Sequence, residues 1–380
     1  MKTLFTDAHL VSAGVDLPHA AVLIDGEFVA AVLDGSAPRP AADRVIDLGG
    51  APLLPGFIDI HCHGRSGSDF TDATDAAIER IAVDKLSEGV TTMLCTTLTV
   101  SRETIAETLA AAARYAKDPA GARIAGAHLE GPFFNPEGAG AQNPDFLLAP
   151  DAGLVGEWNR IFPVRKVSLS PELPGAMEFI AEMKARGIVT SGAHSTADYD
   201  TFQRARAAGM THLTHFCNVM TPLHHLRPGM VGGGLLAPEV LTEIIGDGVH
   251  LSDPMLEVIL RLKGGSGAML ITDAMRAAGM PEGNYTLGGL AVIVRDHRAT
   301  LADGKTVAGG ISQYFEGVRR LRSLGVLPDR ELIRIFGYNQ AVSLGLDRVG
   351  EIREGWFADL VVADDDWQPR QVWCRGVPRM

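Results

Sequence analysis

The sequence predicts an α/β protein: a (β/α)8 barrel of the TIM type with a small β-sandwich domain assembled from both ends of the chain. Three observations carry this reading. Between residues 55 and 346, eight apolar runs of strand length recur, several of them separated by helix-like segments. Most of these runs end in a histidine, aspartate, glutamate or asparagine, and barrels build their sites at that rim. The flanks, residues 1–54 and 347–380, alternate short apolar runs with Gly, Asp and Pro and show no helical period.

The first flank contains AVLIDGEFVAAVL, an Asp-Gly hairpin signal between two apolar segments. PGFIDIHCHG then opens the barrel, followed by VTTMLCTTLTV, RIAGAHLEGP, RKVSLSPEL, IVTSGAHS, THLTHFCN, LTEIIGDGVH and GAMLITDAM. Helices are predicted in SRETIAETLAAAARYAK, capped by Ser101, in GAMEFIAEMKARG, closed by Gly187, and in DYDTFQRARAAG. The C-terminal GEIREGWFADLVVADDDWQPRQVWCRGVPRM returns to the strand-and-turn pattern of the first flank.

Composition narrows the function. Of 380 residues, 46% are hydrophobic and 21% charged, which excludes a disordered chain. The net charge of −12, with no basic block, argues against nucleic acid as a partner. No apolar stretch is long enough to span a membrane, and the N-terminus lacks a signal-peptide core. Cys62, Cys95, Cys217 and Cys374 form no CxxC pair, which predicts reduced thiols and a cytoplasmic location.

The rim residues are His61 and His63, Glu130, Glu172, His194, His215 with Asn218, His250, and Asp273. A single histidine at a strand end is commonly structural, but repetition over seven strands points to a site. His61 and His63, two apart, face the same side and can bind one cation. Glu130, His194 and His215 add a carboxylate and two imidazoles, a set that suits zinc, or iron or manganese. Alternation turns Cys62 away, so it and Cys217 read as core residues. Asp273 is the candidate general base: a carboxylate beside a metal-activated water can accept its proton and pass it to a leaving amine. Its alternative roles are a cap or a further metal ligand.

Taken in order, PGFIDIHCHG, HLEGPFFNP, GAHSTAD, THFCNVMTPLHH, DGVH and ITDAM resemble the N-acetylglucosamine-6-phosphate deacetylases of the amidohydrolase superfamily. The likeness extends through MPEGNYTLGG and GYNQAVSLGL into the C-terminal flank. It implies an amidohydrolase-type barrel with Glu130, His194 and His215 as main metal ligands. His61 and His63 would form a second or alternative site, for one or two divalent ions, and Asp273 would be the acid/base. It also implies that Asn218, Val219 (through its backbone) and His250 contact the sugar phosphate, and that the enzyme is a homodimer. The implied reaction hydrolyses an acetamide to acetate and an amino sugar.

Three departures fall on substrate recognition. Gln142 stands where the family has a substrate-contacting histidine, and EGAGAQ lacks the usual basic residue. Leu226 stands where an arginine binds phosphate, with Arg227 one residue later. Gly310 replaces a small hydroxyl residue. A phosphate dianion needs charge-assisted donors, so these changes predict a weakened or altered 6-phosphate preference unless Arg227, Arg65 or an arginine from another subunit compensates. The competing readings are a deacylase for another N-acyl substrate (an unphosphorylated amino sugar, an N-acetylgalactosamine phosphate or an N-acyl amino acid), a cyclic-amide hydrolase, and an inactive scaffold. Intact ligands and Asp273 weigh against the scaffold, and SLSPEL at the end of the fourth strand, with Lys166 lying earlier, weighs against the cyclic-amide reading.

Overall fold

The computed structural model describes residues 1–380. Eight strands form one parallel sheet: β1 Phe57–Asp59, β2 Val90–Thr96, β3 Arg123–Glu130, β4 Val164–Leu169, β5 Val189–Gly192, β6 His212–Leu213, β7 Leu241–Ile245 and β8 Ala268–Ile271. Each pairs with its neighbours in sequence order, as right-handed β/α crossovers require. The seam between β8 and β1 closes by other means. Above the strands, Cys62 bridges Ala274 in parallel fashion and the Asp273 N–H donates to His61 O at 2.9 Å. Within the seam the one Tyr314 hydroxyl proton lies among Ile58 O and Leu270 O at 3.2 Å and Phe336 O at 3.1 Å, and Gln340 Nε2 donates to Leu270 O at 3.1 Å, so side chains take the place of the missing ladder.

The strands are apolar because helices cover their outer face; every residue of β2 is buried. Helix Arg102–Tyr115 starts as the sequence predicts, with Ser101 Oγ accepting from Thr104 N at 3.1 Å. Charges are buried around the strands as well: Lys85, on the short helix Lys85–Glu88, donates to Asp59 at 2.9 Å and Glu88 at 3.0 Å, and Glu88 also pairs with Arg65, so two cations meet two carboxylates.

Both termini build the second sheet, in the order Val377–Pro378, Pro369–Cys374, Leu360–Ala363, Pro52–Pro55, Lys2–Ser12, Val15–Asp25, Phe28–Leu33, with Arg44–Asp47 also paired to Lys2–Ser12. Phe5 and Trp373, from opposite ends of the chain, meet edge to face at 5.1 Å in its core. The hairpin forms where the Asp-Gly signal lies, but Asp25 stays in the strand opposite Phe28, and Gly26, at φ +58°, begins a two-residue turn with Glu27.

Sequence patterns leave one unit unread: a three-stranded antiparallel sheet, Gly283–Leu287, Leu290–Arg295 and Arg298–Leu301, inserted after β8. Its apolar face packs on Leu98 and Met275 beside the barrel mouth. No helix is long and apolar enough to cross a membrane.

Candidate active site

Residues that end or directly follow the strands converge at the barrel mouth. Glu130 is the last residue of β3, whereas His194, His215 and Asp273 lie just beyond β5, β6 and β8. All three of the latter occupy left-handed backbone, at φ 46°, 30° and 49°. That conformation costs an L-residue about 1–3 kcal/mol and persists only where surrounding bonds impose it. Here they do: Asp273 donates its N–H to His61 O, and its carbonyl accepts from Gly310 N at 2.6 Å. His194 Nδ1 lies 3.0 Å from Gly138 O.

Two trios result, His61 with His63 and Asp273, and Glu130 with His194 and His215, all six residues buried. His61 Nε2 and His63 Nε2 are 3.2 Å apart, and His194 Nε2 and His215 Nε2 are 3.1 Å apart. Glu130 spans both groups, with Oε1 3.3 Å from His61 Nε2 and 3.2 Å from His215 Nε2, and Oε2 3.1 Å from His63 Nε2. Asp273 Oδ1 lies 3.1 Å from His61 Nε2 and 3.2 Å from His63 Nε2.

This arrangement fits divalent metal. Ligands at about 2.0–2.1 Å from a tetrahedral ion lie roughly 3.3 Å from each other, which is the spacing observed. Two facing imidazole nitrogens can share only one proton, and buried Glu130 Oε1 has no hydrogen-bond partner, so bare protein leaves the cluster under-satisfied. The field favours positive charge: burial alone would lower the pKa of His63, but hydrogen bonds to Asp273 and Glu130 reverse this and raise it to about 9. Burial likewise opposes ionisation of Asp273, yet the charge of His61 and bonds to both histidines hold its carboxyl well below the usual range.

A cavity of about 260 Å³ opens above the cluster. His63, Glu130, His194, His215 and Asp273 form its floor, and Gln142, Asn218, Val219 and His250 its walls. His61 lies beneath, fully buried. The Gln142 amide is already engaged: Thr99 N donates to its Oε1 at 3.0 Å, which turns Nε2 toward Glu130 Oε2 at 2.6 Å. Arg227 is not brought to this cavity; it lines a separate surface pocket with Tyr199, Thr221 and Pro228. Arg65 is buried and paired with Glu88, and Leu226 is largely exposed. Glu172 braces loops instead of lining the cavity, accepting from Ser195 Oγ at 2.6 Å and Thr196 N at 2.7 Å. Gly310 has a packing reason, since a Cβ there would come 2.3 Å from Thr272 O.

The sequence alone does not point to Leu287 of the inserted sheet, which adds to the wall together with Thr306, Val307 and Gly309 of the TVAGGISQ loop that carries Gly310. The Gly288-Gly289 pair between two apolar runs is the signal that marks that hairpin.

Gly138 gives a local test of this geometry. A Cβ at that position would lie 2.4 Å from His194 O and 2.7 Å from His194 C, both backbone atoms. Gly138→Ala is therefore expected to displace His194 and to lower turnover about 10²-fold, the effect of misplacement by roughly 1 Å. Steady-state rates beside a melting curve check this; unchanged turnover in the folded variant would show that His194 is not sensitive to this contact.

A parallel barrel with converging histidines and carboxylates at the C-terminal rim defines a metal-dependent hydrolase. The amidohydrolase family model matches residues 53–378. An N-acetylglucosamine-6-phosphate deacetylase of Bacillus subtilis (strain 168) is 37% identical over 331 residues, covering 85% of this chain and 83% of the relative. One from Lysinibacillus sphaericus is 36% identical over 316 residues, covering 82% and 81%. The structure of a mutant N-acetyl-D-glucosamine-6-phosphate deacetylase from Mycobacterium smegmatis, in complex with N-acetyl-D-glucosamine-6-phosphate, superposes with a TM-score of 0.93 at 32% identity, over 100% of this chain and 99% of that one. The chain belongs to the N-acetylglucosamine-6-phosphate deacetylase family of amidohydrolases.

Proposed function

We propose that this enzyme hydrolyses the acetamide of N-acetylglucosamine-6-phosphate to glucosamine-6-phosphate and acetate. The observation that carries the reading is the pair of ligand trios bridged by Glu130 at the floor of a sugar-sized cavity with Asp273 exposed to it. The relatives' activity supports the phosphorylated sugar over other N-acyl substrates. In this reading His61, His63, Glu130, His194 and His215 would hold zinc, with Asp273 beside them. A divalent ion held there would supply Lewis-acid polarisation of the acetamide carbonyl and a more acidic water. Asp273 directs Oδ1 at His61 and His63, which leaves Oδ2 to take a proton from the attacking water and return it to the departing amine.

His250 supplies charge for the phosphate. Burial works against its protonation, but a 2.6 Å hydrogen bond to Asp247, with that carboxylate's charge, raises its pKa above the usual 6.5. Asn218 lines the same cavity and offers an uncharged amide. The same reading places the enzyme in the cytoplasm, where the four free cysteines stay reduced, and in a homodimer, for which exposed Leu223 and Leu226 offer an apolar surface.

The test is acetate release by zinc-loaded protein from N-acetylglucosamine-6-phosphate, its unphosphorylated sugar and the galacto epimer. Charge-assisted bonds worth about 1.5–3 kcal/mol predict a kcat/KM preference of roughly 10–100-fold for the phosphate. Equal turnover with and without phosphate, or none at all, would overturn the assignment. His250→Asn is expected to raise KM for the phosphorylated sugar about 10-fold or more and to leave the unphosphorylated one unaffected. Because the pKa of His250 is raised, its cation is complete at low pH and is lost as pH climbs through that raised value. The wild-type KM for the phosphorylated sugar should therefore rise over this window, and the variant's should not.

A further inference from the structure

Two buried charges below the ligand cluster have no part in the reaction above. Lys166 on β4 and Glu243 on β7 are both fully buried, and their side chains meet across the barrel interior. The other Glu243 oxygen, Oε2, lies 3.1 Å from His61 Nδ1 and 3.4 Å from the backbone nitrogen of His215. The opposite edge of the His61 ring carries Nε2, which faces Asp273 at 3.1 Å and Glu130 at 3.3 Å. A continuous line therefore runs from Lys166 through Glu243 and His61 to the ligand cluster.

We infer that Glu243, charge-balanced by Lys166, is a positioning residue that fixes His61 with its proton on Nδ1 and the Nε2 lone pair directed at the metal. A neutral imidazole carries one proton, and an acceptor at Nδ1 draws it there. The same bond fixes the ring about its Cβ–Cγ axis, which aims Nε2. A lone carboxylate in this interior would be costly to bury, and Lys166 supplies the opposing charge. Stability alone does not call for the pair, since apolar residues of similar volume fill such positions equally well. Its placement directly behind a ligand is what the positioning role explains. Because Glu243 and Lys166 approach His61 from inside the barrel, they act without touching substrate.

The inference rests on the cluster's holding metal, and zinc titration of the metal-stripped full-length protein by calorimetry tests it. His61→Ala defines the binding that depends on His61. Glu243→Gln is expected to weaken that same binding about 10–100-fold and to leave unchanged whatever binding survives in His61→Ala. The double variant Lys166→Met with Glu243→Leu removes both charges. It should melt near the wild-type temperature yet keep the weakened zinc affinity, which separates positioning from folding. Wild-type affinity in either variant, or in His61→Ala itself, would overturn the inference; should Glu243→Gln fail to fold, the double variant decides. Failure of the deacetylase assignment has a different signature, namely these zinc affinities without acetate release.

Discussion

Asp273→Asn is expected to lower kcat about 10²–10⁴-fold with little change in KM, because the asparagine cannot take a proton from water and return it to the amine. The substitution preserves shape, and an amide oxygen can still face His61 and His63, whose nitrogens lie 3.1 and 3.2 Å from Oδ1. Retained zinc, measured by elemental analysis beside the kinetics, separates loss of proton transfer from loss of metal. A variant that keeps its zinc and retains wild-type kcat would remove Asp273 from the acid/base role. A variant that loses zinc from one trio would show that Asp273 contributes chiefly as a ligand.

Glu130→Gln has the second large effect, and it should fall on both trios together. Glu130 Oε1 approaches His61 and His215 while Oε2 approaches His63, so one carboxylate serves imidazoles of both groups. Neutralising it removes the central negative charge of a site that is 2% exposed, where water cannot substitute. The new amide also presents a donor toward the cluster or toward Gln142 Nε2, which already donates to Oε2 at 2.6 Å. Zinc affinity is expected to fall at least about 100-fold, with turnover falling to the level of chelator-treated wild type. Thermal stabilisation by zinc should shrink with it: at zinc 1,000-fold above the wild-type Kd, from about 4 kcal/mol in the wild type to about 1.4 kcal/mol or less in the variant. Calorimetry and melting curves with and without zinc check both statements. Loss confined to one binding event would show that Glu130 serves a single trio.

Much of this site is legible in the sequence because its candidate ligands sit at strand ends, where local pattern and register coincide. His61 and His63 share a face by their spacing, and Glu130, His194, His215 and Asp273 each close an apolar run. Residues that act across the barrel are not legible in this way. Glu243 lies within LTEII and Lys166 beside Arg165 within VRKVSL, charges in strands with no local signal of a partner, and their contact spans 77 positions of sequence. Gln142 could be placed beside the substrate by resemblance, but not the two hydrogen bonds that turn its amide toward Glu130. Arg227 is one residue from the expected phosphate contact, yet the turn closed by Arg227 N to His224 O at 3.0 Å belongs to a loop whose arginine lines another pocket.

By itself the sequence determined the architecture, the eight strands, the terminal sheet and which histidines and carboxylates gather at the barrel mouth, because alternation of apolar runs and the residues at their ends are local properties of the chain. Tertiary structure alone decided which nitrogens and oxygens approach within about 3 Å, what supports them from behind, and that neither Arg227 nor Arg65 lines the cavity. Those outcomes depend on how the barrel closes at Cys62 and Ala274 and on the left-handed turns at His194, His215 and Asp273. A strand's own pattern fixes the face on which a side chain lies; only closure of the barrel brings opposite strands close enough for their charges to meet.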